Sequence, residues 1–567
     1  MQFPRSARIW PIVFIVCVAA LFLIANRGAY RGYFNDDDLD NLVQTRGASG
    51  ETFLLALEDP RLSRSNFRPV GHGYYKLLGM WAGLQYKPYV GVLHAVHLLN
   101  VVLVLLLLRQ LGAGWLGAGA GTLLFAFHIA CFDGYWKPMF FFDVMCATFL
   151  LLALLLYLRG HWLLALIPYW LAYKTKEPAI ALPAVLLAWE WMLGEKRWKR
   201  VLPYAAIAAS FALQAMMLNR GTNDDYTLRF TAAAVMKTFG YYSSQVLLAP
   251  YAGVLLIALA AWTKDRRVRF GLLALALLMG PMWFLPGRLF AVYLYVPLIG
   301  LAVAAAFFAE KCKPAYVTVF FVLWLPVNYL LLRQQRGAAL TVAMENQLYV
   351  EAVGKVLAGD RDVRTILYDG GPAGMREWGI EATMRWFQPA PELRLAGLES
   401  AEARGLMERE YLAVMSWDRA RRRLVTASRQ AGDPAPASIT MATGNPVWLF
   451  GEGWYPLESG FRWTKAEAKV RLRRPEGAAQ FAVRVNLGPV QKKEQGQVEV
   501  ELLLDGKSLG TRVYSDVCWC EQVWTAPAGA AGDVEVTLRS LRPYRPSNGD
   551  PRTLGAAVAS LGFVAVP

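Results

Sequence analysis

Cysteine is scarce in this chain, with six residues in 567. Their scatter excludes a disulfide framework, and no spacing among them reads as a zinc site. Cys518 and Cys520, one residue apart, are poorly placed for a mutual disulfide and give only a weak metal signal. Charge is sparse too, at 18% of residues against about 25% in soluble chains. Acids are the scarcer sign, 43 against 59 Lys and Arg, for a net charge of +16. No internal repeat is present, which excludes tetratricopeptide and other solenoid arrays.

Apolar residues are abundant, at 56%. At this length the surplus implies several membrane spans. Runs long enough to span, or nearly so, are Ile9–Ala25, Val90–Leu108, Trp115–Ala130, Phe141–Leu158, Trp162–Tyr173, Pro178–Met192, Val201–Leu218, Phe239–Trp262, Phe270–Leu285, Phe290–Phe308 and Tyr316–Leu332. That is about eleven spans. The first, with Arg5 and Arg8 before it and no small-residue cleavage site after it, reads as a retained signal anchor. A basic chain can signal nucleic acid. Here Lys and Arg cluster between apolar runs on alternate loops, as cytoplasmic loops do, so no nucleic-acid partner is expected. The alternation places the N-terminus in the cytoplasm. It turns Arg27–Tyr89, Cys131–Phe140, Lys174–Glu177, Asn219–Val235, Pro286–Leu289 and everything after Arg333 outward. The expected location is the cytoplasmic (inner) membrane.

The division expected is a transmembrane domain over 1–332, a small α/β segment over 333–430 and a β-sandwich over 431–567. "VRTILYDGG" and "YLAVMSWD" read as buried strands, and "AGDPAPAS" as a linker. Beyond Val447 alternating strands dominate, with Asp505–Gly506 as a hairpin turn. Helical patterns in the first outer loop, "ETFLLALE" and "GYYKLLGMWAGL", fit amphipathic helices on the membrane surface.

Candidate chemistry lies on the outward side. Asp36, Asp37 and Asp38 follow the first span. Adjacent carboxylates raise one another's pKa or attract a cation, and a carboxylate poised near neutrality acts as a general base. The bland alternative is a solvated acidic loop. His128, Asp133, Lys137 and Asp143 fall at outward helix ends, where polar groups at membrane depth are costly. Lys176 and Glu177 interrupt an apolar hairpin, with Lys176 suited to a phosphate and equally to snorkelling. Arg68 with nearby His72, and Arg288 with Tyr293, complete the outward set. Arginine at this depth is an interface anchor or a phosphate partner. Trp454 and Trp463 are candidates for a glycan surface, with Asp550 or Arg552, or are packed in the sandwich core.

The order of these pieces resembles the GT-C class of polytopic glycosyltransferases, which use polyprenyl-phosphate sugars. The branch it is most similar to is the transmembrane O-mannosyltransferases that carry tetratricopeptide repeats, with their bacterial relatives. The carrying residues are the acids Asp36–Asp38, "NFRPV" (Asn66–Val70), Phe127 and His128 followed by Asp133 and "DV" (Asp143–Val144), "KE" (Lys176–Glu177) and "RLFAVYLYVPLIG". The likeness covers about Trp10–Leu332. Three acids stand where that branch has two, and register with Leu39 points to Asp37 and Asp38. "FHIACFD" lacks the branch's proline and second histidine, and the repeat domain is absent. The resemblance implies a GT-C fold and inverting sugar transfer from a polyprenyl-phosphate donor to a hydroxyl of an envelope glycan, lipid or protein. One of Asp36–Asp38 would be the base, and Asp133 would assist or position the acceptor. Lys176, Arg68 and Arg288 would hold the donor phosphate. The acidic triplet permits a divalent metal without demanding one. Rival classes are a flippase or transporter for lipid-linked glycans, which predicts mid-span charges and inverted repeats, and a glycan-binding scaffold with dispensable acids.

Overall fold

The computed structural model describes residues 5–61, 66–218, 225–359, 362–407, 411–430, 432–527 and 529–564. The start of the expected outer loop Asn219–Val235, the first linker residue Ala431 and the end of the last expected strand lie outside them. The chain forms two compact units, Met1–Ala343 and Met344–Pro567.

The first unit is helical. Its helices are α1 Arg5–Asn26, α2 Asp36–Arg46, α3 Gly50–Glu58, α4 Pro69–Ala82, α5 Tyr86–Gln110, α6 Trp115–Phe127, α7 Phe132–Trp136 and α8 Phe141–Leu158. There follow α9 Leu166–Tyr173, α10 Leu182–Met192, α11 Leu202–Leu218, α12 Ala232–Val246, α13 Val254–Trp262, α14 Arg266–Met279, α15 Leu298–Ala309 and α16 Pro314–Gly359. The division between the units falls inside α16.

Among the described residues five helical segments are long and apolar enough to cross a membrane, or six if the bent pair Trp115–Phe127 and Ile129–Trp136 is one span. The chain is a multi-pass α-helical membrane protein with a β-rich C-terminal region. The number of long helices is smaller than the number of apolar runs because several runs are broken. Phe239–Trp262 divides into α12 and α13 at a turn around Pro250, where Leu248 and Tyr251 both take positive φ. Pro178–Met192 and Phe290–Phe308 each begin as a 3-10 turn and leave helices of 11 and 12 residues.

Small residues set the packing of this unit. α15 lies against both α6 and α14. On α6, Gly117 and Gly121 face carbonyl oxygens of α15. A Cβ on either would sit 2.4 Å from the oxygen of Ala306 or Ala302. This is the small-xxx-small spacing that lets membrane helices approach closely.

The second unit begins with a four-stranded sheet ordered β2-β1-β3-β4, from β1 Thr365–Asp369, β2 Arg394–Gly397, β3 Leu412–Asp418 and β4 Arg423–Arg429. β1 pairs parallel to β2 and to β3, and β4 closes antiparallel. Helices Glu377–Phe387 and Ala401–Leu406 make the crossovers. A β-sandwich follows, of strands β5 Ser438–Thr440, β6 Trp454–Glu458, β7 Phe461–Thr464, β8 Glu467–Arg474, β9 Gln480–Asn486, β10 Val498–Leu504, β11 Lys507–Tyr514, β12 Trp519–Thr525, β13 Gly532–Ser540 and β14 Ala557–Phe563. One sheet runs β11-β10-β13-β8; the other runs β12-β9-β14-β7-β6, with β5 on β14. Alternate residues of both sheets, Val470, Val500 and Val536 against Val483, Val558 and Phe481, form one buried core. The β10–β11 hairpin turns at Asp505 and Gly506, both at positive φ (47° and 77°), as a type I′ turn requires. Cys518 and Cys520 are disulfide-bonded, with Cα atoms 5.3 Å apart, which corrects the expectation drawn from their spacing. The extended strand start at Trp519 gives the reach that spacing alone did not suggest.

The α6–α15 contact yields a stability prediction. Gly121→Ala drives a Cβ into a backbone oxygen and is expected to destabilise the bundle by about 1–3 kcal/mol. Gly119→Ala, whose Cβ would meet only Phe14 at 3.8 Å, is expected to leave the unfolding midpoint unchanged or raised. Thermal unfolding in detergent compares them. Equal midpoints for the two variants would remove the close-packing account.

Candidate functional site

The site begins with a helix start. Asn35 caps α2, and Asp38, at the third position, closes a capping box. Its Oδ2 accepts the Asn35 backbone N–H at 2.9 Å, and its Oδ1 accepts the Tyr75 hydroxyl at 2.7 Å. Asp38 is fully buried. Burial pushes its carboxyl up to about 7, against the two hydrogen bonds, with Asp37 and Asp36 adding repulsion. Helical rotation turns the neighbouring acids elsewhere. Asp36 Oδ1 accepts from the Asp37 backbone at 3.0 Å, and both side chains are half-buried. Asp37 acts electrostatically on Arg288 and on Tyr226.

Arg68 is the N-cap of α4, before Pro69. Its guanidinium pairs with Glu177 and lies 5.7 Å from the Phe142 ring. Its backbone N–H reaches His72 Nδ1 at 2.8 Å. His72 stacks on Phe67 with centroids 4.7 Å apart. Burial holds His72 neutral, down at about 4.

Lys176 caps the 3-10 turn Glu177–Ala181. Its ammonium meets Asp143 at 2.5 Å, and its Nζ lies 5.8 Å from the Tyr293 ring. Burial alone would lower its pKa, but Asp143 and the other acidic groups raise it overall, so it remains an ammonium. Asp143 itself sits in the first turn of α8, where the helix N-terminus favours an acid. Burial opposes the charge of Glu177, yet Arg68 and Lys176 bring its pKa below the usual value. Arg288 donates to the Tyr293 hydroxyl at 3.2 Å and lies over Tyr226 at 4.1 Å and Phe290 at 5.0 Å. Burial disfavours its charge, and Tyr293, Tyr226 and Asp37 favour it. Tyr226 feels Arg288, Tyr293, Asp37 and Arg68 together. Lys176 and Arg288 thus share Tyr293, Arg68 pairs with Glu177 next to Lys176, and Arg288 lies over Tyr226, a tyrosine that the sequence reading did not single out. Its only signal was its place in an outward loop.

Asp133 and Lys137 lie apart from that group. They pair at 2.8 Å, one turn apart, and line a cavity of about 490 Å3. That is within the range of small-molecule sites. Tyr33, Asn35, Trp136, Tyr241 and Gln245 also line it, as does Phe290, the ring beneath Arg288. Asn35 and Phe290 therefore join the cavity to the charged cluster. His128 sits at the 43° bend between the paired helical segments. Its Nε2 meets the Val246 carbonyl at 2.9 Å and its Nδ1 accepts from Ala130, so both ring nitrogens are engaged by backbone.

In the sandwich, Trp454 packs against the core and donates to the Lys469 carbonyl at 2.7 Å. Trp463 is half-buried beside Phe461 and Tyr544. Asp550 and Arg552 pair with each other at 2.7 Å, and Arg552 also pairs with Glu458. Among the described residues no group of three His, Cys, Asp or Glu side chains converges as metal ligands would.

No family model and no curated protein matches the chain. Among solved structures it is similar to ArnT from Cupriavidus metallidurans in the apo state, at 13% identity over 76% of this chain and 100% of that one, TM-score 0.45. ArnT bound to undecaprenyl phosphate gives 12% over 75% and 98%, TM-score 0.44. The arabinofuranosyltransferase AftD from Mycobacteria gives 11% over 99% of this chain and 59% of that one, TM-score 0.43.

The burial of Asp38 has a signed consequence for stability. Its folded pKa, about 7, lies above the unfolded value near 3.9. Between those values the folded state holds the extra proton, so the contribution of Asp38 is present at low pH and lost as pH rises through 7. Asp38→Asn keeps one acceptor for the Asn35 N–H and removes the charge. The parent midpoint is expected to fall between pH 5 and pH 8 by more than that of Asp38→Asn. Parallel pH profiles would contradict this.

Proposed function

We propose that the protein is a GT-C type membrane glycosyltransferase. It takes a sugar from a polyprenyl-phosphate donor and passes it to an acceptor hydroxyl with inversion. The observation that carries the reading is the grouping of the cations Arg68, Lys176 and Arg288 through Glu177 and Tyr293, with Asp37 acting electrostatically on Arg288, beside a cavity large enough for an acceptor.

Cations at this position suit a lipid phosphate. Arg68 and Arg288 offer planar forks and Lys176 a buried point charge. Glu177 and Asp143 pair with Arg68 and Lys176, and Tyr293 accepts from Arg288, so the cations are held in place before a ligand arrives. Asp37 takes the proton from the acceptor hydroxyl as its oxygen attacks the anomeric carbon from the face opposite the phosphate. The glycosidic C–O bond to the phosphate breaks, and its electron pair leaves on the phosphate oxygen. The three cations stabilise that growing charge. Asp133 with Lys137 positions the acceptor in the cavity. Asp38 serves as the cap that fixes α2, and Asp36 stands beside the base. His72, Tyr293, Asp143 and Glu177 hold the cations, and His128 holds the helix bend. Trp463 offers an aromatic face to a glycan more readily than the core-packed Trp454. The site faces outward from the cytoplasmic membrane, with the N-terminus in the cytoplasm. The acceptor is an envelope glycan, lipid or protein; the protein O-mannosyltransferase type is one case of it.

Transfer from radiolabelled polyprenyl-phosphate sugars in membranes tests this. Asp37→Asn is expected to lose at least about 100-fold in rate, the scale of a general base. Asp38→Asn is expected to stay within about 10-fold of the parent, and Lys176→Gln to lose donor binding. Full activity in Asp37→Asn would remove the base and leave a transporter or a glycan-binding scaffold. Loss of transfer on chelation would assign Asp36 and Asp37 to a cation.

A further inference from the structure

Below the charged cluster lies a polar network that the chemistry above does not use. α5 carries His97 and Asn100 into the bundle interior, both fully buried. Tyr295, also fully buried, reaches both. Its hydroxyl lies 2.7 Å from His97 Nδ1 and accepts from Asn100 Nδ2 at 3.2 Å. One arrangement of protons satisfies every contact. Asn100 donates to the Tyr295 oxygen, Tyr295 donates to His97 Nδ1, and His97 Nε2 donates to the Ala126 carbonyl at 3.3 Å. The amide of Asn100 also donates to the Val144 carbonyl at 2.8 Å, and its oxygen accepts from Thr148 at 2.7 Å. Polar groups within a span are costly unless paired, and a saturated network fixes one geometry.

The ends of this network matter. Tyr295 is two residues from Tyr293, which holds Arg288 and faces Lys176. Val144 follows Asp143, the partner of Lys176. Tyr295 also packs against Gly134, where a Cβ would come within 3.0 Å of its ring, next to Asp133. The network therefore ties α5, α6 and α8 to the 3-10 segment Ala291–Leu294, and it reaches both faces that hold Lys176.

We infer that His97, Asn100, Thr148 and Tyr295 are positioning residues, which hold Tyr293 and Asp143 at the spacing Lys176 and Arg288 need to grip a lipid phosphate. This rests on the donor role proposed above. None of the four touches the phosphate.

The test measures binding of undecaprenyl phosphate and of undecaprenol to the purified full chain, so that the phosphate is isolated from the lipid tail. The variants are Tyr295→Phe, His97→Leu, His97→Gln and Lys176→Gln. Tyr295→Phe and His97→Leu are expected to weaken undecaprenyl phosphate on the order of 10-fold and leave undecaprenol unchanged, since small misplacements of a binding group carry costs of this size. His97→Gln, which keeps an acceptor for Tyr295 and a donor for Ala126, is expected to recover most of the loss. Should His97→Leu fail to insert, Tyr295→Phe and Thr148→Val carry the comparison. Parent-like affinity in Tyr295→Phe, with Lys176→Gln impaired, would overturn the positioning role alone. Equal weakening of both lipids would also overturn it, as general loosening. A parent that does not prefer the phosphate, or Lys176→Gln binding as the parent does, would overturn the donor reading and this inference with it.

Discussion

The ion pair between Lys176 and Asp143 is the contact on which the candidate site depends. Both side chains are largely buried, 15% and 3% exposed. Two lone charges at that depth would be costly, and removing one partner of a buried pair costs about 3–5 kcal/mol. Held together they let a cation stand at the mouth of a helical bundle. Arg68 with Glu177 repeats the arrangement beside it, and Arg288 is held by the Tyr293 hydroxyl. Arg68 and Lys176 each meet a carboxylate and Arg288 a tyrosine hydroxyl, so each cation has a partner in the absence of ligand.

Local helix geometry then divides three identical residues into different environments. Successive residues on a helix are rotated by about 100°. Asp38 turns inward to its own helix start and to Tyr75, while Asp36 and Asp37 stay half-buried, with Asp37 acting electrostatically on Arg288. The same step explains why burial raises the carboxyl of Asp38 and leaves Asp36 and Asp37 half-buried. The acidic triplet is neither a solvated loop nor three equivalent carboxylates.

Much of this was legible in the chain itself. The apolar runs, the change of composition after the last of them, the two central strands of the α/β sheet and the Asp505–Gly506 turn all follow from local pattern. The candidate cations were visible as charges interrupting apolar runs. The pairings were not. Arg68 finds Glu177 across 109 positions and Lys176 finds Asp143 across 33, through helix packing that periodicity does not encode. The separate, buried environment of Asp38 depended on Tyr75, 37 positions away. Hydropathy overstated the long helices because turns at Pro250 and the 3-10 starts of α10 and α15 keep their residues apolar while breaking the helix. Asp133 shares a side of the chain with the cations, yet the fold gives it to the neighbouring cavity.

A structure of the full chain with undecaprenyl phosphate bound tests the central claim most directly. The account predicts the phosphate among Arg68, Lys176 and Arg288, with Asp37 turned toward the cavity that Asp133 lines. A phosphate seated on Lys137 in that cavity, with Arg68, Lys176 and Arg288 still on Glu177, Asp143 and Tyr293, would contradict it.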